Sequence, residues 1–336
     1  MKIKPSQVEK LVAIMIEHPR DFTLFITGPP GIGKSAGVKE ATKAAGLPLT
    51  DTRLTLMDQT DLRGIPFVRG ETTHWARPWF IPNERGVWFF DEMNSAHPSV
   101  QAATYKIIFD RMVEEHPIHP DCAIIAAGNR EEDAAAVHTL LAPLANRFIH
   151  VEVEPDYEDW KASWALKNIE MSIISFLNWR PSLSFKFDPK KNEKSFPTYR
   201  SWHFASNVLR VVKDAQLQRI LVAGAIGDGV AGELYEFLRK REKIPSVEGI
   251  LKGDITTVPK EEDLIYALIG ALNEALKTFG KTGFKHFIDY IEKLPKEFTI
   301  LAIKDAFSLY EDELRKAPNW SAFLNKHQKY IYLGSL

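Results

Sequence analysis

Residues 22–35 read FTLFITGPPGIGKS, and this stretch decides the fold. Residues 22–27 are a short, apolar, β-prone run of the kind a parallel sheet buries on both faces. They lead into Gly28-Pro29-Pro30-Gly31-Ile32-Gly33-Lys34-Ser35, which has the spacing G-x-x-x-x-G-K-S. Helical composition follows over 35–45 and stops at Gly46. Glycines at 28, 31 and 33 let the backbone curl until successive N–H groups face one anion. The positive end of the following helix adds to that attraction. The loop from Gly28 to Ser35, with Ala36 behind it, is therefore a candidate cradle for the phosphates of a nucleotide. Lys34 is placed for the β- and γ-phosphates and Ser35 for Mg2+. A glycine-rich turn with a chance lysine is the plain alternative, and the flanking strand and helix argue against it.

Working outward, residues 6–17 read as a helix with Val8, Leu11, Val12 and Met15 on one face. Residues 54–56 read as a weak strand, and 86–90 (GVWFF), 123–127 and 149–153 as buried ones, with a helix over 99–111. Alternating strands and helices predict an α/β fold with a parallel sheet sandwiched by helices. The alternation ends near Pro155. Helices are expected afterwards over 157–167, 171–177, 199–212, 216–225, 231–239, 263–279 and 284–291, with a lysine-rich surface loop at 186–194.

The 336 residues are 45% hydrophobic and 26% charged, with a formal net charge of -1. That balance shows no global pull toward nucleic acid or an anionic membrane. The single cysteine, Cys122, leaves no internal disulfide and suits a reducing compartment. With no signal peptide and no run near the roughly 20 apolar residues of a membrane span, the expected location is cytoplasmic.

The second motif is VWFFDE at 87–92, an apolar strand ending in two acids. Asp91 is placed to hold the metal shell, as a Walker B aspartate does. Glu92 is placed to polarise the attacking water, because phosphoryl transfer needs a positioned nucleophile more than covalent help. A solvated turn is the alternative for such a pair. A base for water also argues against a small-molecule kinase, which needs an acceptor site instead.

At this point the chain resembles AAA+ ATPases, and within them the MoxR-like group. The resemblance rests on DLRGIP (61–66), FFDEMNSAHPSVQAA (89–103), AAGNREED (126–133), LANRF (144–148), FPTYRSW (196–202) and IGDGVAGELYEFLR (226–239), and spans roughly 5–255. It implies a P-loop NTPase (AAA+) domain over 1–155 with an inserted hairpin near 64–82. A helical lid domain over 156–258 and a helical C-terminal extension over 259–336 follow. Asn129 would be the sensor 1 residue, since an amide can donate to phosphate and accept from water; a turn cap is the alternative. Arg147 would be an arginine finger serving the ATP of a neighbouring subunit; a surface ion pair is the alternative. Arg200 would be the sensor 2 arginine, although many relatives have proline-arginine where this chain has Tyr199-Arg200. Arg130 is a weaker candidate.

The resemblance further implies a hexameric ring that hydrolyses ATP with Mg2+ to remodel, activate or mature a client protein. A partner with a von Willebrand factor A domain is expected, and the inserted hairpin would face the central pore unless it is an ordinary surface hairpin. An AAA+ nucleic-acid motor and a nucleotide-gated assembly scaffold are the alternatives. His116, His119 and Cys122 lie close together, but the prolines at 117 and 120 point to a tight connection rather than a metal site. Trp160, Trp164 and Trp202 read as core, and 239–243 as a solvated helix end.

Overall fold

The computed structural model describes residues 1–133, 139–191 and 193–327. Two compact units emerge: Met1–Asp156 with a short segment from Asp188, and Tyr157–Phe187 with the chain from Glu193 onward.

The first unit begins with β1 (Lys2–Ile3), α1 (Pro5–Glu17), β2 (Leu24–Thr27), α2 (Lys34–Ala44), β3 (Leu49–Arg53) and α3 (Gln59–Arg63). A hairpin of β4 (Pro66–Arg69) and β5 (Thr72–Trp75) follows, then β6 (Gly86–Asp91) and α4 (Pro98–Asp110). A second hairpin, β7 (Met112–Val113) with β8 (His116–Pro117), precedes β9 (Cys122–Gly128), α5 (Ala142–Ala145) and β10 (Ile149–Val153). Six strands form one parallel sheet in the order β1-β10-β2-β9-β6-β3. Its central strands are apolar throughout because helices cover both faces; every residue of β9 is buried, as are Gly86 to Phe90 of β6. In register, Thr27 pairs with Gly128 and Arg53 with Asp91. The loops after β2, β6 and β9 thus leave a common carboxyl edge, where open α/β sheets bind their ligands. This is the P-loop AAA+ fold.

Residues 54–56, expected as a weak strand, are instead a 3-10 turn, and the strand lies just before them at β3. Leu54 is fully buried while Leu56 is exposed, an up-and-under pattern that a turn accommodates. β3 was hard to see because it is an edge strand of sequence LTDTR, held by backbone pairing to β6 rather than by apolar side chains. The tight connection expected at 116–120 contains the strand β8, whose partner β7 is only two residues long.

The second unit is helical. It opens with α6 (Tyr157–Trp160) and α7 (Leu166–Asn168), joined by a π-helical turn at Lys161–Ala165 where an unbroken helix was expected. Then come α8 (Met171–Trp179), α9 (Tyr199–Val211), α10 (Ala215–Ile226), α11 (Asp228–Lys240) and α12 (Val247–Lys252). The last three are α13 (Glu262–Ile291), α14 (Lys296–Arg315) and α15 (Trp320–His327). The two helices expected over 263–279 and 284–291 are both present within α13, separated by a kink where Gly280 takes non-helical angles (φ 57°, ψ -159°). One apolar cluster joins Ile250 and Leu251 of α12 to Leu268, Phe287, Ile303 and Trp320. At its margin the buried Lys161 bridges Glu158 (3.0 Å) and Asp305 (3.1 Å). Trp160 and Trp202 are buried, and Trp160 stacks on Tyr199 at 4.3 Å.

No described helix is long and apolar enough to cross a membrane. Residues 328–336 of the expected extension lie outside the described residues.

Candidate functional site

The loop Gly28–Ser35 leaves β2 and enters α2 through Gly33, whose φ of 107° lies in the left-handed region that a residue with a Cβ resists. The loop thus leads directly into the first turn of α2, and the free N–H groups of a helix's first turn are what bind anions. Lys34 is buried, and its Nζ donates to Gly28 O (2.7 Å), Pro29 O (3.1 Å) and Asn129 Oδ1 (3.3 Å). Ser35 Oγ donates to Asp91 Oδ2 at 2.8 Å. Four of the residues singled out in the sequence, from three separate strand ends, therefore meet in one place. Ser35 Oγ and Asp91 Oδ2 are hard oxygen donors side by side, the donor type Mg2+ takes.

Glu92 follows β6 with φ 58° and ψ 32°, a left-handed conformation unusual for a glutamate. Its N–H donates to Asp91 Oδ1 at 3.0 Å, and its Oε2 accepts from the Thr55 hydroxyl at 2.7 Å. The turn takes the carboxylate off the line of the strand, and Thr55 fixes where it goes. Such a conformation costs on the order of 1–3 kcal/mol and persists where the surroundings impose it.

Asn129 is held by a residue the sequence reading did not single out. The buried Asn94 donates through Nδ2 to Asn129 O (2.6 Å) and accepts from Asn129 N–H through Oδ1 (3.2 Å). A Cβ on Gly128 would stand 2.0 Å from Asn94 Oδ1, so only glycine admits this two-point clamp. The Asn129 side chain is left facing Lys34. Neither Asn94 nor Thr55 is marked by its own sequence neighbourhood, because each meets its partner only through the fold.

Arg130 is spoken for. It makes a bidentate pair with the buried Asp133 (2.5 and 2.8 Å) and reaches Glu132 (3.1 Å) and Glu152 (3.4 Å). The hydrogen bond to Asp133 outweighs burial and raises its pKa above the ordinary arginine value.

Arg147 sits at the other end of the sheet. Its carbonyl accepts from the Thr23 hydroxyl, and Ile149 N donates to Thr23 O at 2.8 Å. Thr23 precedes Gly28 by five residues along β2, about 16 Å at the rise of a strand. The exposed guanidinium lies over Phe109 (3.8 Å from ring centroid to Cζ) and near Tyr105 (6.0 Å) on α4. Arg200 is exposed in the first turn of α9, after a capping box at Thr198, and belongs to the second unit.

The inserted hairpin places Phe67 opposite His74 and turns at Gly70. Val68 is exposed near its tip. Arg63 covers Trp75 at 4.5 Å and pairs with Glu114, while His74 reaches Glu115 (3.3 Å) and His116 reaches Trp75 O (2.7 Å). The β4–β5 and β7–β8 hairpins are thereby bound together. His119 Nδ1 accepts from Asp121 N–H, and Cys122 is buried in β9, where desolvation pushes its thiol pKa up to about 11.

Residues 23–148 match the family described as the AAA domain of the dynein-related subfamily. No curated protein sequence matches the chain. Among solved structures, a point mutant of RuvB from Thermotoga maritima is 18% identical, covering 80% of this chain and 83% of that one, with a TM-score of 0.39. NtrX from Brucella abortus in complex with ADP is 14% identical over 96% of this chain and 67% of that one, with a TM-score of 0.35.

Proposed function

We propose, from the premise that residues 23–148 form an AAA domain of the dynein-related subfamily, that this protein hydrolyses ATP in a ring of its own copies. The observation that carries this reading is the 2.8 Å contact between Ser35 Oγ and Asp91 Oδ2, two oxygens that chain-distant motifs bring together for one metal.

The backbone of residues 28–36 binds the phosphates, and Lys34 exchanges its loop carbonyls for phosphate oxygens. Ser35 and Asp91 would hold Mg2+, which would supply charge neutralisation to the phosphates. Glu92 orients water and takes its proton. Asn129, clamped by Asn94, keeps its amide toward the γ-phosphate beside Lys34. Arg147 lies beside Thr23, at the amino end of β2 and away from its own loop, so it acts on the ATP of the next copy. Arg200, in the lid over 156–258, is the proposed sensor 2 arginine. A helical C-terminal extension over 259–336 follows the lid in this reading.

The motif resemblance supports a hexamer of MoxR-like type, located in the cytoplasm, that remodels or matures a client protein. A protein with a von Willebrand factor A domain is the proposed partner. The inserted hairpin over 64–82, with Val68 exposed, is the proposed client contact in the pore.

The test is Glu92→Gln in the full chain. Turnover should fall about 10²- to 10⁴-fold while ATP still binds with unchanged affinity. Wild-type turnover in that variant would refute the assignment of Glu92.

A further inference from the structure

We propose that Tyr105 and Phe109 are positioning residues that hold the Arg147 guanidinium ready for the ATP of a neighbouring copy of this chain. The inference rests on Arg147 acting in the next subunit, as proposed above.

Tyr105 and Phe109 are one helical turn apart, so their rings share a stripe of α4; the centroids are 5.9 Å apart at 29°. That stripe borders the helix's buried face, which carries Val100, Gln101, Thr104, Ile107 and Ile108, and Tyr105 packs partly against that core. Phe109 is 49% exposed. With that face already buried, the half-exposed ring of Phe109 is available for another contact. Arg147 supplies one: its Cζ stands 3.8 Å from the Phe109 centroid, and its Nη2 reaches the Tyr105 hydroxyl at 3.4 Å.

A guanidinium held over a ring keeps its charge, and apart from the Nη2 bond to Tyr105 its N–H donors can still meet an anion. No carboxylate among the described residues pairs with Arg147, in contrast to the three that surround Arg130. The contact with the rings therefore restrains the side chain without neutralising it. A long arginine otherwise loses much rotamer freedom when it engages a phosphate, and restraint beforehand lowers that cost. The remaining alternative is a cation–π contact that only stabilises α4.

Three variants of the full chain separate these, assayed with ATP and Mg2+. Phe109→Leu should lower kcat about 5- to 30-fold with KM for ATP nearly constant. Phe109→Trp, which keeps a ring face, should recover most of the turnover. The side-chain resonances of Arg147, shifted upfield by the ring, should lose that shift in Phe109→Leu and keep it in Phe109→Trp, independent of nucleotide. Mixing Phe109→Leu with Glu92→Gln subunits should raise turnover per Phe109→Leu subunit, because an intact Arg147 then arrives from the neighbour.

Wild-type kcat in Phe109→Leu, while Arg147→Ala is inactive, would overturn the positioning role and leave the shared site standing. Equal loss in the Leu and Trp variants together with a lowered melting temperature would also overturn it, in favour of simple stabilisation of α4. Full turnover in Arg147→Ala would instead bring down the reading on which the proposal rests.

Discussion

The two ends of the parallel sheet treat their arginines in opposite ways. At the carboxyl end, Arg130 is neutralised by Asp133, Glu132 and Glu152 within its own unit. At the amino end, Arg147 rests on two aromatic rings with no acid beside it among the described residues. Buried acid–base pairs are expensive to break because the surviving charge is left desolvated. A stacked, exposed guanidinium carries no such penalty and is available to an outside anion. The contrast teaches that charge alone does not mark a functional arginine; what matters is whether the fold has already answered the charge.

The largest expected effect lies at the amino end. Arg147→Ala should reduce turnover on the order of 10³-fold or more while leaving ATP binding and the melting temperature nearly unchanged. Mixed with Glu92→Gln subunits, it should regain activity, since each variant lacks a different half of a shared site. No recovery in a verified mixed ring would erase the contrast between the two ends. A smaller effect, of a different kind, belongs to the carboxyl end. Arg130→Met should cost about 2–3 kcal/mol of stability, measured by denaturant unfolding, because Asp133 would be left buried without its partner. If that variant kept its stability yet lost turnover, Arg130 would be the reacting arginine and Arg147 the ornament.

Much of this is legible in the residues alone. The glycine spacing of residues 28–35 and the apolar strand ending in Asp91 and Glu92 identify a phosphate site because phosphate chemistry leaves little freedom in residue type or order. The buried strands stand out as unbroken apolar runs. The edge strand β3 does not, since polar LTDTR is held by backbone pairing that leaves no side-chain signature. Asn94 and Thr55 escape a sequence reading for a related reason. They touch Asn129 and Glu92 across 35 and 37 residues, and nothing local in the sequence announces a contact made by folding. The kink at Gly280 is legible too, since the stretch reads as two helices and the structure breaks α13 there. The aromatic pair on α4 shows the limit most clearly, because Tyr105 and Phe109 read as ordinary helix residues until Arg147 arrives over them from the start of β10.

The most direct measurement is a crystal structure of the full chain with Mn2+ and a non-hydrolysable ATP analogue, with the metal located by anomalous scattering. The expected result is one metal bound by Ser35 Oγ and a β- or γ-phosphate oxygen, with Asp91 in its shell and the triphosphate inside residues 28–36. A metal held elsewhere, or a triphosphate lying outside that loop, would contradict the convergence of the two motifs on a single nucleotide.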